Sequence, residues 1–235
     1  MIPLRDKNPS EKFPLVTIVL IVINVLIFIY QLTLREKLTP FFNHYALIPA
    51  DIVFFGKPQA TLIHHIFLPF VSSMFLHGGW LHVIGNMWYL WIFGDNIEDR
   101  LGHVRFFIFY LTCGIGAALT HVILNPHSSV PCVGASGAIA GVLGAYLICF
   151  PFARVVTLVP IFFYLTVIEV PAVILLVFWF VLQFFSGTLS IAVTAQTGGG
   201  GVAWWAHVGG FIFGMILVSF FSTRKGFRRR LVLFL

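Results

Sequence analysis

Four polar residues stand in apolar stretches of this chain: His82, Asn86, Ser136 and His207. A serine hydroxyl becomes a nucleophile when a base takes its proton, and histidine is well suited to that task near neutral pH. The acyl intermediate that follows needs hydrogen-bond donors for its oxyanion. Asn86 offers an amide and His82 a ring nitrogen. Ser136 opens a helix, so its backbone N–H has no acceptor within that helix and can face the same oxygen. The chemistry these residues suit is acyl transfer by a Ser136–His207 pair, with His82, Asn86 and the Ser136 N–H as the oxyanion hole. No Asp or Glu stands at the same level. Glu169, the one acid in the fifth apolar stretch, lies towards that stretch's other end. A dyad therefore fits better than a triad.

Each residue taken alone has a plainer reading. Ser136 lies among Gly134, Ala135, Gly137 and Ala138, and small residues commonly serve helix packing. A lone histidine in an apolar helix commonly hydrogen-bonds a neighbour and does no more. The remaining histidines lack carboxylate or cysteine partners at ligand spacing, so no metal site is expected, and no cofactor is implied.

The segments that must position these groups are read from composition. Apolar residues make up 59% of the 235, charged residues 9%, and 27 are Phe. A water-soluble domain has no use for that much apolar surface, so the chain is expected to be an integral membrane protein. Cys113, Cys132 and Cys149 form no paired framework. Six apolar stretches, at 14–34, 80–97, 105–124, 135–151, 160–186 and 202–222, are candidates to span a bilayer. The fold class expected is all-α, a polytopic six-helix bundle. The first stretch is too long and too late for a cleaved signal peptide.

Arg5, Lys7 and Lys12 precede the first stretch, Arg100 and Arg105 follow the second, and Arg154 follows the fourth. Arg224, Lys225, Arg228, Arg229 and Arg230 follow the sixth, which puts eleven of the 14 basic residues on one side. By the positive-inside rule both termini are expected in the cytoplasm. The expected organisation is a cytoplasmic segment 1–13, a membrane domain 14–222 and a basic tail 223–235. The net charge of +6 is that of a basic cluster beside anionic lipid and calls for no nucleic-acid partner. Loop 35–79, rich in aromatic residues, is expected outside and partly in the interface. Gly198–Gly201 reads as a hinge.

Depth then links the four residues. Ser136 lies 18 residues before Arg154, His207 17 before Arg224, and His82 18 before Arg100. At 1.5 Å per residue these spacings set all three about 25–27 Å above their basic residues. Asn86 lies one turn from His82 on the same face. Gly137, Gly141 and Gly144 form a bare stripe on the fourth stretch, and His207, Gly210 and Gly214 share a face of the sixth. Facing stripes would let the two backbones approach and carry His207 to Ser136.

At this point a resemblance becomes specific. Gly134-Ala135-Ser136-Gly137, Ala206-His207-Val208-Gly209-Gly210 with Gly214, and His82-Val83-Ile84-Gly85-Asn86 resemble the motifs of the rhomboid family of intramembrane serine proteases. Glu98-Asp99-Arg100-Leu101-Gly102 looks like the family's Glu-x-Arg element, and His77-Gly78-Gly79-Trp80 like its approach to the second span. The match covers about residues 60–220. The resemblance implies Ser136 as nucleophile, His207 as base, and His82 and Asn86 in the oxyanion hole, with the Glu-x-Arg element structural. It implies a six-helix bundle with a cavity open to the outside, a lateral hairpin domain in loop 35–79, and a gate formed by span five and loop 187–201. Substrates would be single-pass transmembrane proteins, cut in or near the span and close to the outer face. The expected location is a prokaryotic inner or plasma membrane, multi-pass. Some members carry a tyrosine one turn after the serine, packed on the histidine; here that position is Ala140, and the group that orients His207 is not evident. Two rivals stand beside this reading. One is a non-proteolytic membrane chaperone or degradation factor of the same fold, which would need neither Ser136 nor His207. The other is a small transporter, against which the spans show no acid pair or charge string.

Overall fold

Runs of Leu, Ile, Val and Phe broken by Gly and Pro resolve into helices whose ends follow those breaks. The computed structural model describes residues 1–54, 67–161, 164–197 and 203–222. His64, His65, Gly198–Gly201 and the basic residues from Arg224 onward lie outside the described residues. In chain order the segments are strand β1 (Ile2–Asp6), α1 (Leu15–Thr33), α2 (Leu38–Tyr45), α3 (Pro49–Val53), α4 (Leu68–Ser72), α5 (Trp80–Leu101) and α6 (His103–Leu124). There follow α7 (Ser136–Cys149), β2 (Arg154–Ile161), β3 (Tyr164–Pro171), α8 (Ala172–Thr197) and α9 (Trp204–Phe221). Among the described residues, four helices are long and apolar enough to cross a membrane: α1, α6, α9 and, within α8, Ala172–Leu189. The chain is a membrane protein of helical architecture. α5 is long but carries Asp95, Glu98, Asp99 and Arg100 near its end, and α7 has only 14 residues.

Turns and caps are specified locally. α5 stops at Gly102, whose φ of +81° reverses the chain into α6. Glu98, almost wholly buried, turns back to α1. Its carboxylate accepts the N–H groups of Val16 (2.8 Å) and Thr17 (2.7 Å), the Thr17 hydroxyl at 2.7 Å, and a 2.5 Å contact from His103 Nδ1. It thus caps a helix start far away in sequence, satisfying donors that α1 leaves free. This is a structural task, as expected of the Glu-x-Arg element.

A small three-stranded sheet adds to the helical plan. β1 pairs antiparallel with β2, and β2 with β3, in the order β1-β2-β3. The fifth stretch, read as starting at residue 160, therefore becomes a helix only from Ala172. Residues 154–171 are rich in Val, Thr, Ile and Tyr, which favour a pleated strand, and Pro171 stands just before the helix starts. Glu169 moves with this correction. It lies on β3 and pairs with Lys7 at 2.5 Å, which holds its carboxylate below the usual range. β1 runs beside α5: Trp88 Nε1–H donates to the Pro3 carbonyl at 2.7 Å, and the Asn8 amide donates to Asn96 Oδ1. β2 and β3 pack against α8, so the sheet stands between α5 and α8.

α7 is the axis of the bundle. Every residue from Gly137 to Tyr146 is buried, between α5, α6 and α9. Its glycines allow this. A Cβ on Gly210 would lie 2.0 Å from the Gly137 carbonyl oxygen, and one on Gly214 would lie 1.9 Å from that of Gly141. The α7 and α9 backbones are in direct contact, as the stripes predicted. The α7 stripe also serves α6: a Cβ on Gly137 would meet Ala117, and one on Gly141 would meet Cys113.

Among the described residues, loop 35–79 consists mainly of α2, α3, α4 and short 3-10 turns. The isolated bridge Leu47–Cys132 ties it to the segment leading into α7.

Candidate active site

Ser136 is the first residue of α7, and the backbone before it explains its setting. Gly134 has φ +127°, open to glycine and strained for other residues, and its N–H is held by the Ser73 carbonyl at 2.9 Å. A Cβ there would sit 2.7 Å from His82 Nε2 and 3.5 Å from Asn86 Nδ2. Glycine thus lets the Ser136 loop lie against the polar face of α5. His207, in the first turn of α9, reaches across the glycine contact. Its Nε2 lies 2.7 Å from Ser136 Oγ.

The other two residues line the same cavity. It measures about 690 Å³, and its walls include Ser136, His207, His82, Asn86, Trp179 and Gln183. His82 Nδ1 accepts the Gly78 N–H at 3.4 Å, which leaves the ring proton on Nε2, on the cavity side. Asn86 donates to His77 Nε2 at 3.0 Å, and its second amide hydrogen remains available as a donor. All four sequence-derived residues are therefore brought together, Ser136 and His207 in direct contact. The ruler to Arg154 needs correction: α7 ends at Cys149, and Arg154 begins β2.

Three contributors were not evident in the sequence. Gln183 of α8 is buried, and its Oε1 lies 2.7 Å from His207 Nδ1. Trp179, one turn earlier on the same face, tilts over the imidazole at a centroid distance of 6.0 Å and 35°. Together they occupy the orienting place left open by Ala140. Gln31 of α1 brackets the His77 backbone: its amide donates to the His77 carbonyl (2.8 Å) and its Oε1 accepts the His77 N–H (3.0 Å). The chain of contacts Gln31, His77, Asn86 fixes the amide donor. The signal for Gln183 and Gln31 was their polarity inside apolar helices.

Leu81, Gly85 and Tyr89 of α5 and Trp179 of α8 also line the cavity, which therefore reaches the space between these helices above the sheet. Among the described residues no group of three or more His, Cys, Asp or Glu is placed to share a metal ion. The arrangement has the parts for nucleophilic acyl transfer: a serine oxygen within 2.7 Å of an imidazole nitrogen, and polar groups beside it that can donate.

The Rhomboid domain family model matches residues 64–224, well over half of the chain. The chain belongs to the rhomboid family. It is 39% identical over 72 residues to Rhomboid-like protein 11, chloroplastic, of Arabidopsis thaliana, covering 31% of this chain and 25% of that one. It is 35% identical over 97 residues to Rhomboid protease GluP of Bacillus subtilis (strain 168), covering 41% and 18%. To Presenilin-associated rhomboid-like protein A, mitochondrial, of Danio rerio it is 29% identical over 161 residues, covering 65% and 37%. The matched regions thus span well under half the length of these relatives.

Proposed function

We propose that this protein is an intramembrane serine endopeptidase that cuts membrane-anchored proteins in or near their transmembrane segment. The observation that carries the reading is the 2.7 Å contact between Ser136 Oγ and His207 Nε2 inside a cavity lined by His82 and Asn86. A relative whose name is a rhomboid protease adds support. In this reading Ser136 O–H donates to Nε2, and Oγ attacks the scissile carbonyl as the proton passes to His207. The oxyanion accepts hydrogen bonds from His82 Nε2–H, the Asn86 amide and the Ser136 N–H. The His207 imidazolium returns its proton to the leaving amine. Water then attacks the acyl-enzyme with His207 again as base.

An intact helix keeps its carbonyls hydrogen-bonded, so the cut site must be locally unwound, and small or helix-breaking residues are expected there. The substrate is a single-pass transmembrane protein in the surrounding bilayer. We place the Ser136 end towards the outer face and both termini in the cytoplasm of a prokaryotic inner or plasma membrane, from the distribution of basic residues. The three-part division at residues 13 and 222 belongs to the same proposal. The test is labelling by a serine-reactive fluorophosphonate probe in detergent, together with cleavage of a model single-span substrate. Labelling is expected in the parent and absent in Ser136→Ala, with cleavage lost in both Ser136→Ala and His207→Ala. Cleavage at the parental rate by either variant overturns the reading.

A further inference from the structure

We infer that Gln183 is the positioning residue of the base: its side-chain oxygen accepts the Nδ1–H of His207 and so leaves Nε2 free to take the Ser136 proton. The inference rests on the dyad reading above and deepens it.

A neutral imidazole carries one proton, on either nitrogen, and the partner of one nitrogen decides the state of the other. Here the two contacts lie on opposite sides of one ring, Gln183 Oε1 at Nδ1 and Ser136 Oγ at Nε2, each at 2.7 Å. A carbonyl oxygen can only accept, so the proton must sit on Nδ1. The lone pair of Nε2 then faces the serine hydroxyl, the arrangement that proton abstraction requires. If the amide were turned about, its NH₂ would donate to Nδ1, the proton would move to Nε2, and the imidazole could only donate to the serine.

Burial raises the stakes of this choice. Gln183 and His207 are both buried, so an unmatched polar atom between them would be costly. The ring is held sideways as well: Trp179 tilts over it from α8, and Trp204 meets it edge-on at 6.2 Å and 88°. The three residues at the site therefore come from three helices, with Ser136 on α7, His207 on α9 and Gln183 on α8.

The test uses the full chain in detergent, with Gln183→Leu, which removes the acceptor, and Gln183→Glu, which keeps an acceptor and, when ionised, cannot donate. Gln183→Leu is expected to lower kcat by about 10²-fold or more, the scale at which general-base catalysis contributes, with little change in KM. The fluorophosphonate labelling rate of Ser136 should fall in parallel. Gln183→Glu is expected to recover most of both. A purely structural role would lower thermal stability in Gln183→Leu without the recovery in Gln183→Glu. The tautomer is read directly, without any change at position 183, from nitrogen-15 NMR of histidine-labelled protein, with His207→Ala identifying the signal. A proton on Nδ1 is expected, and a neutral ring protonated on Nε2 overturns the inference. Parental labelling by Gln183→Leu overturns it too, and leaves the dyad standing. Absence of any labelling in the parent removes the dyad reading and this inference with it.

Discussion

Asn86 is the donor whose support can be followed furthest. Its amide is held by His77, whose backbone is bracketed by Gln31. Asn86→Ala removes one donor facing the cavity and leaves His82 and the Ser136 N–H. The expected loss in kcat is about 10²–10³-fold, or ~2.7–4 kcal/mol, the usual scale for one oxyanion donor. Steady-state kinetics on a single-span substrate checks this, and an unchanged kcat would remove Asn86 from the oxyanion hole. Ser136, His207, His82 and Asn86 were legible in the sequence because a polar group in an apolar helix is costly and because local motifs fix its helical phase. Gln183 was not. It stands 24 positions from His207 in a segment with no motif, and only the rotation of α8 decides that it faces the imidazole and not lipid. Polarity could flag it as unusual, but the partner depends on packing that no local pattern specifies.

The elements that deliver these residues meet through missing side chains. A Cβ at Gly210 would fall 2.0 Å from the carbonyl oxygen of Gly137, and backbone atoms cannot swing aside as a flexible side chain can. Gly210→Ala must therefore push α9 from α7 beside Ser136. A displacement of ~1 Å at reacting groups can cost about 10²-fold in rate, so activity should fall by at least that much, and the thermal midpoint should fall with it. Gly85→Ala is the control for stability, since a Cβ there meets nothing within 4 Å and an alanine favours the helix; its midpoint should not fall. A Gly210→Ala variant with parental activity and midpoint would show that the two helices do not touch there. The stripes themselves were legible, because spacing alone says which face of a helix is bare. Which neighbour fills that face was not. The Cβ directions of Gly137 and Gly141 point to Ala117 and Cys113 of α6, and it is their carbonyls that meet α9.

At the scale of the whole molecule the unforeseen feature is the sheet between α5 and α8. Hydropathy merged residues 160–171 with the helix that follows, because an apolar run has the same average in either conformation. The β-branched content was the better guide. The sheet joins the first residues of the chain to the segment between α7 and α8, and Asp6 is its polar seam. The Tyr146 hydroxyl of α7 donates to Asp6 Oδ2 at 2.6 Å. Burial pushes the Asp6 carboxyl from 3.8 up to about 6; the Tyr146 bond opposes the rise and nearby Asp95 adds to it. A carboxyl that holds its proton more tightly when folded stabilises the fold most at pH below its unfolded value. That contribution is lost as pH rises through about 6. Asp6→Asn replaces the ionising group with a neutral one that still offers the Tyr146 hydroxyl an acceptor. Thermal midpoints of parent and variant in the same detergent, compared from about pH 4 to about pH 8, isolate this group because every other titrating residue is shared. The variant should gain on the parent as pH rises between the unfolded value of 3.8 and about 6, and the difference should level off above that. A difference that stays constant across that range would mean that Asp6 does not ionise in this interval and that the seam is indifferent to its charge.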